Sequence, residues 1–248
     1  MTLTYGQKIQ LLQLICFVGG PLVIIFNFNL SYLLISFVAS NIIVNTGIGL
    51  TYHRMYAHKS WNPKLKIIEH IFYFLGIICA MGPAINWCGT HRLHHATSDT
   101  NRDPHSPVKK TLITKIKYWF NYWEVHNVEI KYIKDLLKDK KHKFVYKNYF
   151  KIIFIYITVL YLINIDLFLY GFLVTTMFSL HFVSWITVGA HIFGTRDQHT
   201  KDRSLNTNIM GLFLWGEGYH NNHHWKPSSP NFGFDKFDLG YKIICLLR

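Results

Sequence analysis

The chain lacks charge over long stretches where a soluble protein would need it. No Lys, Arg, Asp or Glu occurs in residues 9–52, and residues 152–195 hold only Asp166. Runs of this kind leave a helix no solvated face, which argues against two buried hairpins of a soluble protein. Acids are scarce throughout: 13 Asp and Glu stand against 26 Lys and Arg, a formal net charge of +13. Cysteine is scarce too. Cys16, Cys79, Cys88 and Cys245 show no paired spacing, so neither a disulfide framework nor a Cys-based zinc finger is expected. Repeats and low-complexity segments are missing, and 1–248 reads as one domain. One Lys precedes the first apolar run, which is too long for the core of a cleavable signal peptide.

What is present is apolar length. A bilayer-spanning helix needs about 20 apolar residues. Each uncharged run is about twice that and carries a polar break near its middle, Asn27-Phe28-Asn29 in one and Asn164-Ile165-Asp166 in the other. The expected fold class is therefore an all-α membrane protein with four transmembrane helices in two hairpins, about 9–52 and 149–192. A helical cap, 53–148 and 193–248, completes it. The spans are expected at about 9–26, 30–52, 149–162 and 167–192. The two short turns carry no positive charge, so the positive-inside rule puts termini, cap and middle segment in the cytoplasm. Residues 67–85 read as a short interfacial or buried helix, and residues 112–144 as an amphipathic helix on the membrane surface. The apolar segment 239–247 reads as a helix closing a cytoplasmic tail. The Lys-rich stretch 109–151 is interleaved with aromatics, which suits anionic headgroups. Its charge needs no nucleic acid to explain it.

Histidine is abundant, and eight of the 15 fall in three clusters: His53-Arg-Met-Tyr-Ala-His58, His91-Arg-Leu-His94-His95 and His220-Asn-Asn-His223-His224. Helical residues three and four apart share a face, so each HxxHH can present its rings together. Neutral imidazole is the commonest protein metal ligand, and eight are too many for one ion, so a di-metal site is expected. His53 and His58 pose a problem. Five α-helical residues turn roughly 500°, placing the rings about 140° apart. Either the helix ends between them or the two serve different metals. The donor set is almost purely nitrogen, which suits Fe, Zn, Cu or Ni. Asp99, Asp103 and Glu217 lie near the clusters and could accept the second ring N–H of a ligand. His70, His105, His126, His142 and His199 lie outside ligand spacing. His181, within the fourth span, reads as a neutral, hydrogen-bonded imidazole.

The order HRMYAH, then THRLHH with SDTNRDPHSP, then GEGYHNNHH resembles the membrane fatty acyl desaturases, specifically the Δ9, stearoyl-desaturase-like type, over nearly the whole chain. The resemblance implies that His53, His58, His91, His94, His95, His220, His223 and His224 bind two iron ions, and that His191, just before Phe193-Gly194, is a ninth ligand. The family usually has Asn one helical turn before that histidine. This chain has Thr187, which faces the same way with fewer hydrogen bonds to offer. Trp87 matches a tryptophan that lines the family's acyl tunnel. The resemblance further implies O2-dependent insertion of a cis double bond into a fatty acyl chain carried on CoA or a lipid. No haem or flavin segment is apparent, so electrons are expected from an external donor, cytochrome b5-like or ferredoxin-like, attracted by the basic face. A related hydroxylase or ketolase would share these histidines. A metal transporter would instead place ligands within its spans.

Overall fold

A computed structural model describes residues 3–108, 110–121 and 129–248. Thr4 opens the first helix with a capping box, its hydroxyl accepting from Gln7 N while the Gln7 side chain accepts from Thr4 N. Helix α1, Tyr5–Phe26, then runs apolar on all sides. A three-residue turn follows, and Asn29 caps α2, Leu30–Val44, by accepting from Tyr32 N. The next elements are α3, Lys66–Ile78; α4, Ala84–Thr97; α5, Leu112–Trp119; and α6, Lys140–Ile163. A short α7, Ile165–Phe168, leads through a π turn, Leu169–Val174, into α8, Thr175–Thr187. Three short helices close the chain: α9, Asn208–Phe213; α10, His220–Trp225; and α11, Leu239–Leu247. Among the described residues there is no strand beyond isolated bridges at Asn206.

Among the described residues four helical stretches are long and apolar enough to cross a membrane: Tyr5–Phe26, Leu30–Ala57, Lys140–Ile163 and Ile165–His191. Their outer faces are apolar, as lipid contact requires; Phe26, Ile35, Phe154 and Leu162 are all exposed. The two hairpin turns meet at one end, where Asn27 Nδ2 donates to Asp166 Oδ1 and Tyr170 bonds Asn27. At the other end Tyr5 donates to the Tyr146 carbonyl. The cap sits at that open end.

Two expectations fail. Residues 112–144 are not one helix. After α5, Asn121 takes a left-handed φ of 56°, a conformation asparagine tolerates and a continuing helix does not. Two single 3-10 turns, Ile130–Tyr132 and Leu136–Lys138, follow. Asp139 then caps α6 by accepting from Lys141 N, so the third span starts at Lys140 rather than near residue 149. Its basic first turns can reach past the apolar zone. The other failure is at residues 45–57, where the second span continues as a π-helix, Asn45–Ala57. A π turn closes on the fifth residue, as where His58 N donates to the His53 carbonyl; the Thr51 hydroxyl adds a side-chain bond to the Thr46 carbonyl. Helix α3 packs against this segment so closely that a Cβ on Gly47 would lie 2.3 Å from Gly76 N.

Candidate metal centre

The π turn decides the first cluster. Residues five apart return to nearly the same side, and the His53 and His58 ring centroids lie 5.0 Å apart. They belong to one ligand group although the helix continues between them, which corrects the α-helical expectation. His53, His58, His91, His95 and His223 offer ring nitrogens all within 4.8 Å of one another. Their Nε2 atoms converge: His53 to His223 2.9 Å, His58 to His91 2.8 Å, His95 to His223 2.9 Å. A second group, His94, His191, His220 and His224, meets the same criterion, with Nε2 contacts of 3.3 Å between His94 and His224 and 3.1 Å between His191 and His220. All nine histidines singled out in the sequence are therefore gathered into two sets that could each hold a metal ion. Helix α4 supplies both sets, since His91 and His95 face one and His94 the other. Helix α10 divides likewise between His223 and the pair His220 and His224.

Carboxylates stand behind four of the rings, holding Nδ1 and leaving the Nε2 lone pair inward. Glu217 Oε2 accepts from His53 Nδ1 at 2.5 Å. Asp103 accepts from His94 Nδ1 at 2.9 Å and from the backbone of Asp99 and His105. Asp99 accepts from His191 Nδ1 at 3.2 Å, Ser106 Oγ at 2.5 Å and Arg203 N at 2.6 Å. Asp202, which the sequence reading passed over, accepts from His224 Nδ1 at 2.9 Å. Burial alone would raise the Glu217 carboxyl, but its contacts with the His53 ring and the Arg54 guanidinium hold it below the usual range. His94 does the same for Asp103, and His191 holds Asp99 at about 2. His91, His95, His220, His223 and His224 are pushed well down by burial and then by one another. Neutral, inward-facing imidazoles are what metal ligation requires.

Arg54 is the other residue missed. Its side chain is fully buried, which a guanidinium tolerates only when paired. Nε donates to Glu217 Oε1 at 3.1 Å, Nη1 to Asp238 Oδ2 at 3.1 Å and to the Pro230 carbonyl at 2.8 Å, and Nη2 to the Trp215 carbonyl at 2.9 Å. The Phe232 ring lies 4.0 Å beneath it. Asp238 also caps α11.

A cleft opens beside both groups. Val44, Ile48, Phe182, Val183, Ile186 and Leu214 line its apolar wall, and His53, His91, His94, His220 and Glu217 its polar end. Trp87 lines it too, stacked on His91 with centroids 5.0 Å apart and planes at 16°. Thr187 borders it, its hydroxyl donating to the Val183 carbonyl at 3.2 Å.

A model of the fatty acid desaturase family matches residues 27–237. The chain belongs to that family. It is 31% identical over 219 residues to Delta-9 acyl-lipid desaturase 1 of Arabidopsis thaliana, covering 82% of this chain and 68% of the relative. The sn-1 stearoyl-lipid 9-desaturase of Anabaena variabilis is 31% identical over 206 residues, with 82% and 75% covered. The acyl-CoA C20 Delta5-desaturase of Anemone leveillei is 30% identical over 208 residues, with 82% and 66% covered. As a fatty acyl desaturase the chain is an oxidoreductase of lipid metabolism, which removes the metal-transporter alternative. The remaining histidines fit this picture. His181 accepts from Trp119 Nε1 at 3.0 Å, as a neutral ring in the span should. His142 pairs with the Tyr73 hydroxyl at 3.0 Å, His70 with the Lys66 carbonyl, and His199 is exposed. His105 is closer to the site than its spacing suggested, stacked 4.4 Å from His94. His126 lies outside the described residues.

Proposed function

We propose that this desaturase uses two iron ions and O2 to insert a cis double bond, at the Δ9 position, into a saturated fatty acyl chain, with electrons from an external donor. One observation carries the reading: two convergent imidazole groups at the polar end of an apolar cleft, in a member of this family. His53, His58, His91, His95 and His223 would hold one ion, and His94, His191, His220 and His224 the other. The donor set fits. Converging neutral Nε2 atoms cannot all be satisfied by one another, and a cation satisfies them at once. Bound iron supplies the reducible pair with which O2 takes two hydrogens from neighbouring methylenes.

The chain's own residues do the rest. Glu217, Asp103, Asp99 and Asp202 fix ring tautomer and direction. Ile48, Val183, Ile186 and Leu214 exclude water and fix a run of methylenes. Trp87 closes the wall beside His91, so its size helps set which carbons face the site, since choice among identical methylenes depends on positioning. Thr187 stands where the family usually has Asn, and its hydroxyl can hold one water at the four-histidine group. The Δ9 position is supported by the two acyl-lipid relatives, both 9-desaturases; the acyl-CoA relative is a Delta5-desaturase, so carrier and position are read from the acyl-lipid pair. The charge distribution supports termini, cap and site on the cytoplasmic side, where a basic surface attracts an acidic cytochrome b5-like or ferredoxin-like donor. Spans and cap are read together as a single domain over 1–248. A hydroxylase would leave an alcohol instead, so the product decides. Gas chromatography of fatty acids from cells expressing the chain should show a new monounsaturated species that disappears with His94→Ala. A hydroxylated product, or no new species in cells with an active donor, would overturn the reading.

A further inference from the structure

Behind Trp87 the core holds a ladder of aromatic rings that the desaturation chemistry does not use. Trp87 stacks on His91 and stands edge-on to His53 at 5.9 Å. The Tyr52 ring lies 6.1 Å from Trp87, Tyr73 lies 5.8 Å from Tyr52, and His142 lies 5.1 Å from Tyr73. Tyr56 sits edge-on to both Tyr73 and His142, at 5.5 Å and 4.6 Å. Tyr52 and Tyr73 are buried. The outer end nears the surface, because the Tyr56 hydroxyl bonds Glu69 and Lys141, whose side chains are 24% and 21% exposed. The hydroxyls differ in a telling way. Tyr52 has a buried hydroxyl with no partner, whereas Tyr73 points its hydroxyl at Nδ1 of His142, 3.0 Å away. A phenol yields an electron readily only when its proton can leave with it. Tyr73 has a base in place and Tyr52 has none.

We propose that Trp87, Tyr52 and Tyr73 form an escape route that carries one oxidising equivalent from the histidine site toward the surface when oxygen is activated without an acyl chain in the cleft. The proposal rests on the desaturase reading above. The oxidant would be the one that bound iron and O2 supply in the desaturase reading. An indole gives up an electron far more easily than a saturated methylene does, so Trp87 is the group beside the site from which that oxidant would draw one. Trp87 gives one electron to the centre and becomes an indole radical cation. It recovers that electron from Tyr73 across the Tyr52 ring. Tyr73 passes its hydroxyl proton to His142 Nδ1, leaving a neutral phenoxyl radical and an imidazolium 3.9 Å from the Asp139 carboxylate. A one-electron reductant in solution, a thiol or ascorbate, returns the electron, and the proton goes back to Tyr73. The imidazoles are thereby spared from oxidation when no substrate is present to be oxidised.

The test uses metal-loaded, reduced protein without acyl substrate, mixed with O2 and freeze-quenched for electron paramagnetic resonance, with O2 uptake recorded on the same sample. Wild type should show a tyrosyl radical. Tyr73→Phe keeps the ring but should lose that signal, and repeated cycles should leave more oxidised His91 and Trp87 by peptide mass spectrometry. Its product yield with substrate should be unchanged. His142→Gln, which can accept the hydrogen bond but not hold the proton, should lower the radical yield and serves if Tyr73→Phe does not fold. O2 uptake with no tyrosyl radical in wild type, or with an equal signal in both variants, overturns the route alone. Absence of O2 uptake by wild type without substrate overturns the route, because no oxidant then forms in an empty cleft; the desaturase reading falls separately, if no unsaturated product forms when acyl substrate is supplied.

Discussion

Glu217→Gln should loosen one metal ion and leave the other. Glu217 accepts from His53 Nδ1 at 2.5 Å and from Arg54 Nε at 3.1 Å. A glutamine of the same shape has one acceptor oxygen and one donor nitrogen, so it can serve only one of them. Hydrogen bonds to charged groups are worth about 1.5–3 kcal/mol. Loss of a carboxylate behind a ligand typically costs about 10–100-fold in metal affinity, and tenfold is about 1.4 kcal/mol, so the two routes agree. Arg54 keeps Asp238 and two carbonyls, so the cost stays below the ~3–5 kcal/mol of stranding a buried charge. Metal content measured by mass spectrometry against rising chelator should show one ion leaving at about 10–100-fold lower chelator than in wild type. Asp103→Asn should weaken the other ion instead, through His94. If Glu217→Gln retains both ions as wild type does, or sheds both together, the division into five- and four-histidine groups is wrong.

Trp87→Ala should keep metal content near normal while lowering activity or shifting the double bond. If Trp87 is only packing, it should instead cost about 3–5 kcal/mol, lowering yield and metal together with an unchanged product. Gly47→Ala would drive a Cβ into the α3 backbone and should cost about 1–3 kcal/mol or more as overpacking, read as a lower Tm; an unchanged Tm would contradict the tight contact. Metal-free protein should lose stability as pH falls. Burial pushes His105 down to about 3, and neighbouring His94 adds to it. The unfolded chain takes that proton near ~6.5, so stability falls between there and about pH 3. Asp99, at about 2 in the fold, adds a second loss as pH drops below ~3.9; a Tm flat from about pH 7 to about pH 5 would refute the first of these. With Cys245 replaced, cysteines placed at Asn29 and Lys140 should label from opposite sides of the membrane, and labelling from one side would overturn the four-span topology.

The spans and eight of the imidazoles were legible because their signals are local: uncharged length in one case, clustered spacing in the other; His191 has no such local signal and was reached only through the family resemblance. His53 and His58 were misjudged because an α-helix was assumed, and nothing in HRMYAH announces a π turn. What holds it is tertiary, the close seat of α3 at Gly47 and the gathering of the rings. Asp103 and Glu217 could be proposed because they sit next to clusters. Asp202 lies 22 residues before His224 and meets it only through the fold of the loop between them. Arg54 carries a signal of its own, a cation set between two ligand histidines, His53 and His58, at the end of an uncharged span. The break at Asn121 was invisible to hydrophobic period, because the apolar pattern of residues 112–144 continues across it.

The Arg54 contact with Asp238 joins residues 184 positions apart. At the usual pace of synthesis that separation corresponds to roughly 10–40 s. The first hairpin therefore enters the membrane with His53 and His58 bare, and Arg54 waits for a carboxylate not yet made. A metal ion meeting the nascent chain would find only a partial ligand set, and the lock behind Glu217 cannot close before Asp238 has been made and has emerged. On the proposed reading metal loading waits for that residue, and its timing is written into the distance between two residues of one ion pair.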